Sequence, residues 1–168
     1  MNITLIGMAG AGKSYVGKLL AEKLNMQLLN IDTDVLESRY GKPLQGVLDQ
    51  LGDEQFIAME ENAIIESTAG KDNLVISPGG SIAYEPMALE HLRNISTIIY
   101  LEVPFEVVAE RVGSQPPRGI VGLGKKTLRE LYDERTLLYQ NAAHITIAVG
   151  EKSTEQIIGE IIDIIDLK

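Results

Sequence analysis

The sequence predicts an α/β fold in which a mostly parallel sheet is covered by helices on both faces. Strand-like and helix-like segments alternate along the whole chain with short links, which is typical of repeated βα units. The first strand is followed by a glycine-rich loop over residues 7–14 and then by a helical pattern. At 168 residues, the chain suits a single domain spanning 1–168.

Five short runs of β-branched and other apolar residues are predicted to be the strands of this sheet. They cover residues 2–6, 26–31, 73–77, 96–103 and 145–149. Six segments with apolar residues at helical spacing are predicted to be helices: 15–25, 54–68, 85–93, 104–112, 128–141 and 154–167. Pro104 suits the first turn of its helix, and Ser153 with Gln156 forms a capping box for the last one.

Two stretches interrupt the alternation, and the simplest interpretation of both is a surface loop. Residues 41–52 are short and polar around an apolar centre, and residues 113–124 carry two prolines and four glycines around Arg118. In an α/β phosphotransferase, a Gly/Pro-rich insertion that holds an arginine is typical of a lid over the phosphates. We therefore predict a lid over residues 113–126 and an acceptor-binding region over residues 33–70.

Composition excludes several classes of partner and site. The formal net charge of −9 argues against a nucleic acid or an anionic membrane as partner. Cysteine is absent, which removes disulfides, thiolate metal sites and a cysteine nucleophile. The first strand begins at Asn2, and no apolar run approaches the ~18 residues that span a bilayer. We expect a cytoplasmic, soluble monomer.

The loop Gly-Met-Ala-Gly-Ala-Gly-Lys-Ser fits the phosphate-binding pattern G-x-x-x-x-G-K-[ST]. Its glycines let backbone N–H groups turn toward an anion, and the following helix adds the positive end of its dipole. Lys13 can reach the β- and γ-phosphates, and the Ser14 hydroxyl can ligate Mg²⁺. The predicted nucleotide contacts are Gly10, Ala11, Gly12, Lys13, Ser14 and Tyr15.

Asp32 and Asp34 follow the second predicted strand, at the edge of the sheet where ligands collect. A kinase needs one carboxylate near the metal and another that orients or deprotonates the attacking hydroxyl. On its own the Asp-x-Asp pattern is equally typical of a helix N-cap. The preceding phosphate-binding loop favours the functional interpretation.

Further candidate residues follow the third strand and lie on later helices. Residues 77–81, Ser-Pro-Gly-Gly-Ser, could let backbone amides approach a substrate, or could simply end the strand. Arg135 could bind a carboxylate through two hydrogen bonds, or could pair with Asp133 or Glu134 in solvent. Arg111 could stack on a purine, or could merely favour the end of its helix.

Taken in order, these motifs resemble the shikimate kinase family over nearly the whole chain. Besides the loop and the Asp-x-Asp pair, the resemblance includes a Gly-Asp-x-x-Phe helix with Glu60, the glycine turn, and an Arg-x-x-x-Tyr helix at Arg135. The resemblance implies a central parallel sheet of order 2-3-1-4-5, as in nucleoside monophosphate kinases, with a mobile lid. It also implies ATP and Mg²⁺ as cofactors.

The resemblance implies a role for each matched residue. Gly10, Gly12, Lys13 and Ser14 would hold the ATP phosphates and Mg²⁺, with Asp32 and Ser77 in the water shell of the metal. Asp34 would bind the acceptor hydroxyl and act as its base, while Arg118 would be the lid arginine and Arg111 would lie against adenine. The acceptor contacts would be Gly79, Gly80 and Arg135.

The chain departs from the family pattern at three places, all on the acceptor side or in the lid. The family has an arginine where this chain has Ile57, and a third glycine where this chain has Ser81. The lid usually reads Arg-Pro-Leu-Leu, whereas here Arg118 is followed by Gly-Ile. Loss of one charge-assisted pair of ~1.5–3 kcal/mol would weaken acceptor binding by roughly 10- to 100-fold.

The sequence therefore predicts ATP-dependent phosphoryl transfer to a hydroxyl of a small metabolite, with shikimate as the first candidate. A kinase of another small hydroxy acid or polyol is one alternative. A nucleotide-binding protein without catalysis is another, although Asp34, Arg118 and Arg135 argue against it. A GTPase switch would need a guanine-reading Asn-Lys-x-Asp motif, which the sequence lacks.

Overall fold

A computed structural model describes residues 1–166 of the chain. Five strands form one parallel sheet in the order β2-β3-β1-β4-β5, which confirms the order that the resemblance implied. The strands are β1 (Asn2–Ile6), β2 (Gln27–Asn30), β3 (Leu74–Ser77), β4 (Ser96–Glu102) and β5 (Ile145–Ala148). Strands β1 and β3 are buried along their whole length, as expected for central strands of a parallel sheet.

Helices flank the sheet. They are α1 (Lys13–Leu24), α2 (Ser38–Tyr40), α3 (Leu44–Thr68), α4 (Pro86–Ile95), α5 (Phe105–Gly113), α6 (Leu128–Ala142) and α7 (Thr154–Asp166). Helix α1 packs on β1, β2 and β3 and against α7, whereas α4 and α6 pack on β4 and α3 packs against α4. Within the described residues, no helix is long and apolar enough to cross a membrane.

The predicted capping box of the last helix is confirmed, since Ser153 and Gln156 exchange hydrogen bonds of 2.8 and 3.2 Å. The helix was predicted to reach Leu167, which lies outside the described residues. It is described as far as Asp166.

The segment 41–52 is largely helical, so its interpretation as a surface loop is wrong. Helix α3 begins at Leu44 rather than at Glu54 and bends at Gly52, whose φ is 74°. Leu44, Val47 and Leu48 are spaced three and four residues apart and are all buried, so they form the inward stripe of a helix. Because the segment is short and mostly polar, its helical spacing was not recognised in the sequence.

Strand β2 ends at Asn30, and residues Ile31–Glu37 form a π-helix rather than the end of the strand. The side chain of Asn30 accepts a weak hydrogen bond of 3.4 Å from the Thr33 N–H. The carboxyl ends of the central strands lie side by side, because Asn30 is in register with Ser77 and Ile6 with Tyr100. The segments that follow β1, β2 and β3 therefore meet at one edge of the sheet.

The predicted lid segment lies between α5 and α6 and folds against both α3 and α6. The Gly119 N–H donates a 2.9 Å hydrogen bond to Gln45 Oε1 near the start of α3. The Arg135 guanidinium of α6 donates a 2.6 Å hydrogen bond to the carbonyl of Val121. Gly119 has a φ of +71°, and a β-carbon there would lie 3.1 Å from the Leu44 carbonyl carbon. The contact between lid and α3 therefore depends on glycine at this position.

We expect Gly119→Ala to loosen the lid from α3. At a φ of +71° the backbone of alanine would be strained by ~1–3 kcal/mol, and its β-carbon would crowd Leu44. The measurement is limited trypsin digestion at Arg118, Lys125 and Lys126, where cleavage should become faster. Gly124→Ala is the matched control, because a β-carbon there meets no atom within 4 Å. Equal digestion rates for the two variants would contradict the account.

Candidate active site

The glycine-rich loop after β1 wraps around the amino group of Lys13. Gly10 and Gly12 have φ angles of +80° and +86°, which glycine adopts without strain. Lys13 Nζ donates hydrogen bonds to the carbonyls of Gly7 (2.8 Å) and Met8 (3.0 Å). Burial lowers the pKa of Lys13 to about 8, against the opposing effect of the Asp32 charge. A buried, positively charged group at a helix N-terminus is well placed to bind phosphate.

A cavity of about 270 Å³ lies over this loop and collects most of the predicted site residues. Its lining includes Gly10, Gly12, Lys13, Ser14, Tyr15, Asp32, Gly79, Gly80, Arg118 and Arg135. Ala11 and Arg111 lie in an adjoining groove of about 290 Å³, which Gly10, Gly12, Tyr15 and Arg118 also line. Arg111 donates a 2.9 Å hydrogen bond to the Gly10 carbonyl, so it borders the phosphate-binding loop.

Asp34 is the predicted site residue that the structure does not bring to the cavity. Its side chain is exposed and accepts hydrogen bonds from the Asn30 N–H (2.8 Å) and the Thr33 hydroxyl (3.1 Å). Asp32, on the same π-helix, faces the cavity instead. The amide of Asn30 also donates a 2.6 Å hydrogen bond to the Ser14 hydroxyl. Sequence reasoning missed Asn30, although a polar residue at the end of a strand next to the loop is a detectable signal.

Asp32 and Ser14 could together hold a divalent cation. Asp32 Oδ1 is buried without a hydrogen-bond partner in the described structure, and Ser14 lines the same cavity. Burial and the charge of Glu60 raise the pKa of Asp32 to about 7, while Lys13 lowers it. A bound cation would favour the ionised form. Residues 1–166 contain no group of three acidic or histidine side chains placed to hold a metal ion. Phosphate oxygens and water would have to complete the coordination of Mg²⁺, as is usual for this ion.

Arg135 of α6 is a buried cation in the wall of the cavity. Its side chain is 1% exposed, and its guanidinium lies 5.2 Å from the centre of the Tyr84 ring. It forms no ion pair with any carboxylate of the described residues, and its Nε has no hydrogen-bond partner there. Since a buried charge is costly unless it is neutralised, this arrangement favours an anionic ligand in the cavity.

The glycine turn after β3 is enclosed by side chains on both sides. A β-carbon on Gly79 would lie 2.6 Å from Glu60 Oε1, and one on Gly80 would lie 3.1 Å from Arg135 Nη1. The Tyr139 hydroxyl donates a 2.5 Å hydrogen bond to the Gly80 carbonyl. A side chain at either position would displace Glu60 or Arg135, so the close approach favours glycine. Both glycines line the cavity with their backbone.

The shikimate kinase family model matches residues 9–166 of the chain. The chain belongs to the shikimate kinase family. A shikimate kinase from Persephonella marina is 35% identical over 161 residues, which cover 96% of each chain. A solved shikimate kinase from Acinetobacter baumannii in complex with shikimate is 29% identical, with a TM-score of 0.85 over 98% of this chain and 92% of its own. The shikimate kinase of Aquifex aeolicus is 30% identical, with a TM-score of 0.81 over 96% of this chain and 94% of its own.

Ile57 departs from the shikimate kinase pattern, and the structure places it away from the cavity described above. It is half-buried and packs against the hydrophobic core. Arg118 and Arg135 are the arginines that line the cavity.

Two buried glutamates beside the glycine turn were given no role by the sequence. Glu60 and Glu85 are both 0% exposed, and the Ser81 hydroxyl donates a hydrogen bond to Glu60 Oε2. Burial and the charge of Glu60 raise the pKa of Glu85 to about 11, so Glu85 keeps its proton at neutral pH. Glu60 lies on the buried face of α3 with Phe56 and Ile64, which is a detectable signal. Glu85, just before Pro86, looks like an ordinary helix start.

We expect Glu85→Gln to stabilise the protein increasingly as the pH rises. An unfolded Glu85 ionises near pH ~4.3, whereas the folded group keeps its proton up to a pKa of about 11. Between these values the native state binds one more proton than the unfolded state, so its stability falls as the pH rises. The variant removes this dependence, which amounts to at most ~1.4 kcal/mol per pH unit.

The measurement is the free energy of unfolding by urea from pH 5 to pH 8. Glu90→Gln on the exposed face of α4 is the control, and it should leave the slope of unfolding free energy against pH unchanged. A slope that is the same in Glu85→Gln and in the unmodified protein would show that Glu85 is ionised in the native state.

Proposed function

We propose that this chain transfers the γ-phosphoryl group of ATP to a hydroxyl of shikimate. Membership of the shikimate kinase family supports the reaction. The observation that carries the proposal is Arg135, a buried cation without an ion-pair partner among the described residues, in the same cavity as Lys13. Lys13 suits a polyphosphate, and Arg135 suits a carboxylate.

The nucleotide end is assigned to the glycine-rich loop. Lys13 donates to the carbonyls of Gly7 and Met8, and the β- and γ-phosphates of ATP would compete for the same ammonium hydrogens. Backbone N–H groups around Gly10 and Gly12 would cradle the phosphates. The groove beside Arg111 would take the rest of the nucleotide.

We assign a magnesium ion to Ser14 and Asp32, on the strength of the unpartnered, buried Asp32 Oδ1. When bound, the ion would neutralise charge on the phosphates. The chain's own residues would position it: Asn30 orients the Ser14 hydroxyl, and the Asp32 carboxylate feels the charges of Lys13 and Glu60.

The acceptor end is assigned to Arg135 and the glycine turn. Arg135 would bind the carboxylate, and the backbone at Gly79 and Gly80 would contact the hydroxyl side of the molecule. Asp34 is proposed as the base, which requires it to leave its hydrogen bonds to Asn30 and Thr33 and turn toward the cavity. Arg118, which lines the cavity from the lid, would stabilise charge on the transferring group.

The experiment is a coupled ADP-release assay with shikimate, quinate, gluconate, homoserine and threonine as acceptors, together with detection of the phosphorylated product. We expect turnover with shikimate. Lys13→Met is the active-site control and should reduce turnover by about 100-fold or more, because the phosphate-binding ammonium is lost.

Turnover with another of these acceptors but not with shikimate would show that the acceptor substrate is a different hydroxy acid or polyol. If no ADP is released with any of these acceptors, the assigned phosphoryl transfer is contradicted. A monomeric state and a cytoplasmic location stay predictions from the sequence.

A further inference from the structure

Ser81 ends the glycine turn, lies directly after Gly79 and Gly80, and has a hydroxyl side chain. It lines the cavity together with Lys13 and Arg135, and it is 6% exposed. Its hydroxyl donates a hydrogen bond to Glu60 Oε2, and Glu60 is fully buried. A serine hydroxyl has one hydrogen and two lone pairs, so the use of its hydrogen decides what it can offer a ligand.

The surroundings of Glu60 fix the direction of this hydrogen bond. Burial raises the pKa of both Glu60 and Glu85, but Glu60 also accepts the hydrogen bond from Ser81 and feels the charge of Arg135, both of which act to lower its pKa. Glu85 meets only like charges, from Glu60, Glu61 and Asp32. Glu85 is therefore the one of the two that keeps its proton, and Glu60 accepts the hydrogen bond from Ser81.

A buried carboxylate needs every donor within its reach. Glu60 Oε1 has no hydrogen-bond partner among the described residues, so Glu60 would lose its side-chain donor if the Ser81 hydroxyl turned toward the cavity. The hydroxyl hydrogen of Ser81 is thus engaged by Glu60. Toward a ligand in the cavity, Ser81 Oγ can therefore only accept a hydrogen bond.

We propose that Ser81 is a substrate-binding residue that accepts a hydrogen bond from an acceptor hydroxyl that is not phosphorylated, with Glu60 as the positioning residue that orients it. The inference rests on the proposed function, because it needs a hydroxylated acceptor in this cavity. An acceptor held at Arg135 by its carboxylate lies in the same cavity as this oxygen. A carbonyl or ether oxygen in place of the hydroxyl would meet lone pairs and be rejected.

The test compares Ser81→Ala with the unmodified enzyme on shikimate and on two analogues, each lacking one of the two hydroxyls that are not phosphorylated. We expect Ser81→Ala to lower kcat/KM for shikimate by about tenfold, mainly through KM, with the KM for ATP little changed. With one of the analogues, Ser81→Ala should not lower kcat/KM any further, because that analogue already lacks the hydroxyl that would bind Ser81.

Ser67→Ala on α3 is the matched control, because its hydroxyl bonds the Ile64 carbonyl and it lines none of the described cavities. If Ser81→Ala folds poorly, Ser81→Gly removes the same hydroxyl within a turn already built of glycine and should give the same pattern. An equal loss on all three substrates would overturn the inference, as would no loss at all. Failure of the unmodified enzyme to phosphorylate shikimate would instead overturn the proposed function.

Discussion

The buried guanidinium of Arg135 contacts the lid segment, the glycine turn and the cavity, and so links the parts of the site. Arg135 leaves α6 beside the glycine turn, donates to the Val121 carbonyl in the lid segment and lies over the Tyr84 ring. Moving it would disturb the lid, the turn and the cavity at once. Because no carboxylate of the described residues pairs with it, its charge stays available to a ligand.

The charges around the site act on one another. Lys13 and Arg135 are buried cations, and Asp32, Glu60 and Glu85 are acids whose pKa values burial raises. The net negative charge of the group is reduced because one acid keeps its proton: burial and the charge of Glu60 hold the pKa of Glu85 near 11.

The strands could be predicted from the sequence pattern, whereas their order came only from the family resemblance. The edge of the sheet that carries the cavity could also be predicted, because strand ends of a parallel sheet share one edge and the glycine-rich loop marks it. The start of α3 could not, because the inward stripe at Leu44, Val47 and Leu48 lies in a polar, glycine-flanked segment. The orientation of Asp34 and the buried pair Glu60 and Glu85 were equally hidden. These depend on side-chain directions and on desolvation, which only tertiary packing determines.

The assignment of the acceptor carboxylate to Arg135 is tested most directly by equilibrium binding of shikimate and of its neutral carboxamide. We predict that the unmodified protein binds shikimate about tenfold more tightly than the carboxamide, since one charge-assisted pair is lost. Arg135→Met should abolish this preference, whereas Arg129→Met on the exposed face of the same helix should keep it. Equal affinities of the unmodified protein for the two ligands, or a preference that survives in Arg135→Met, would contradict the account.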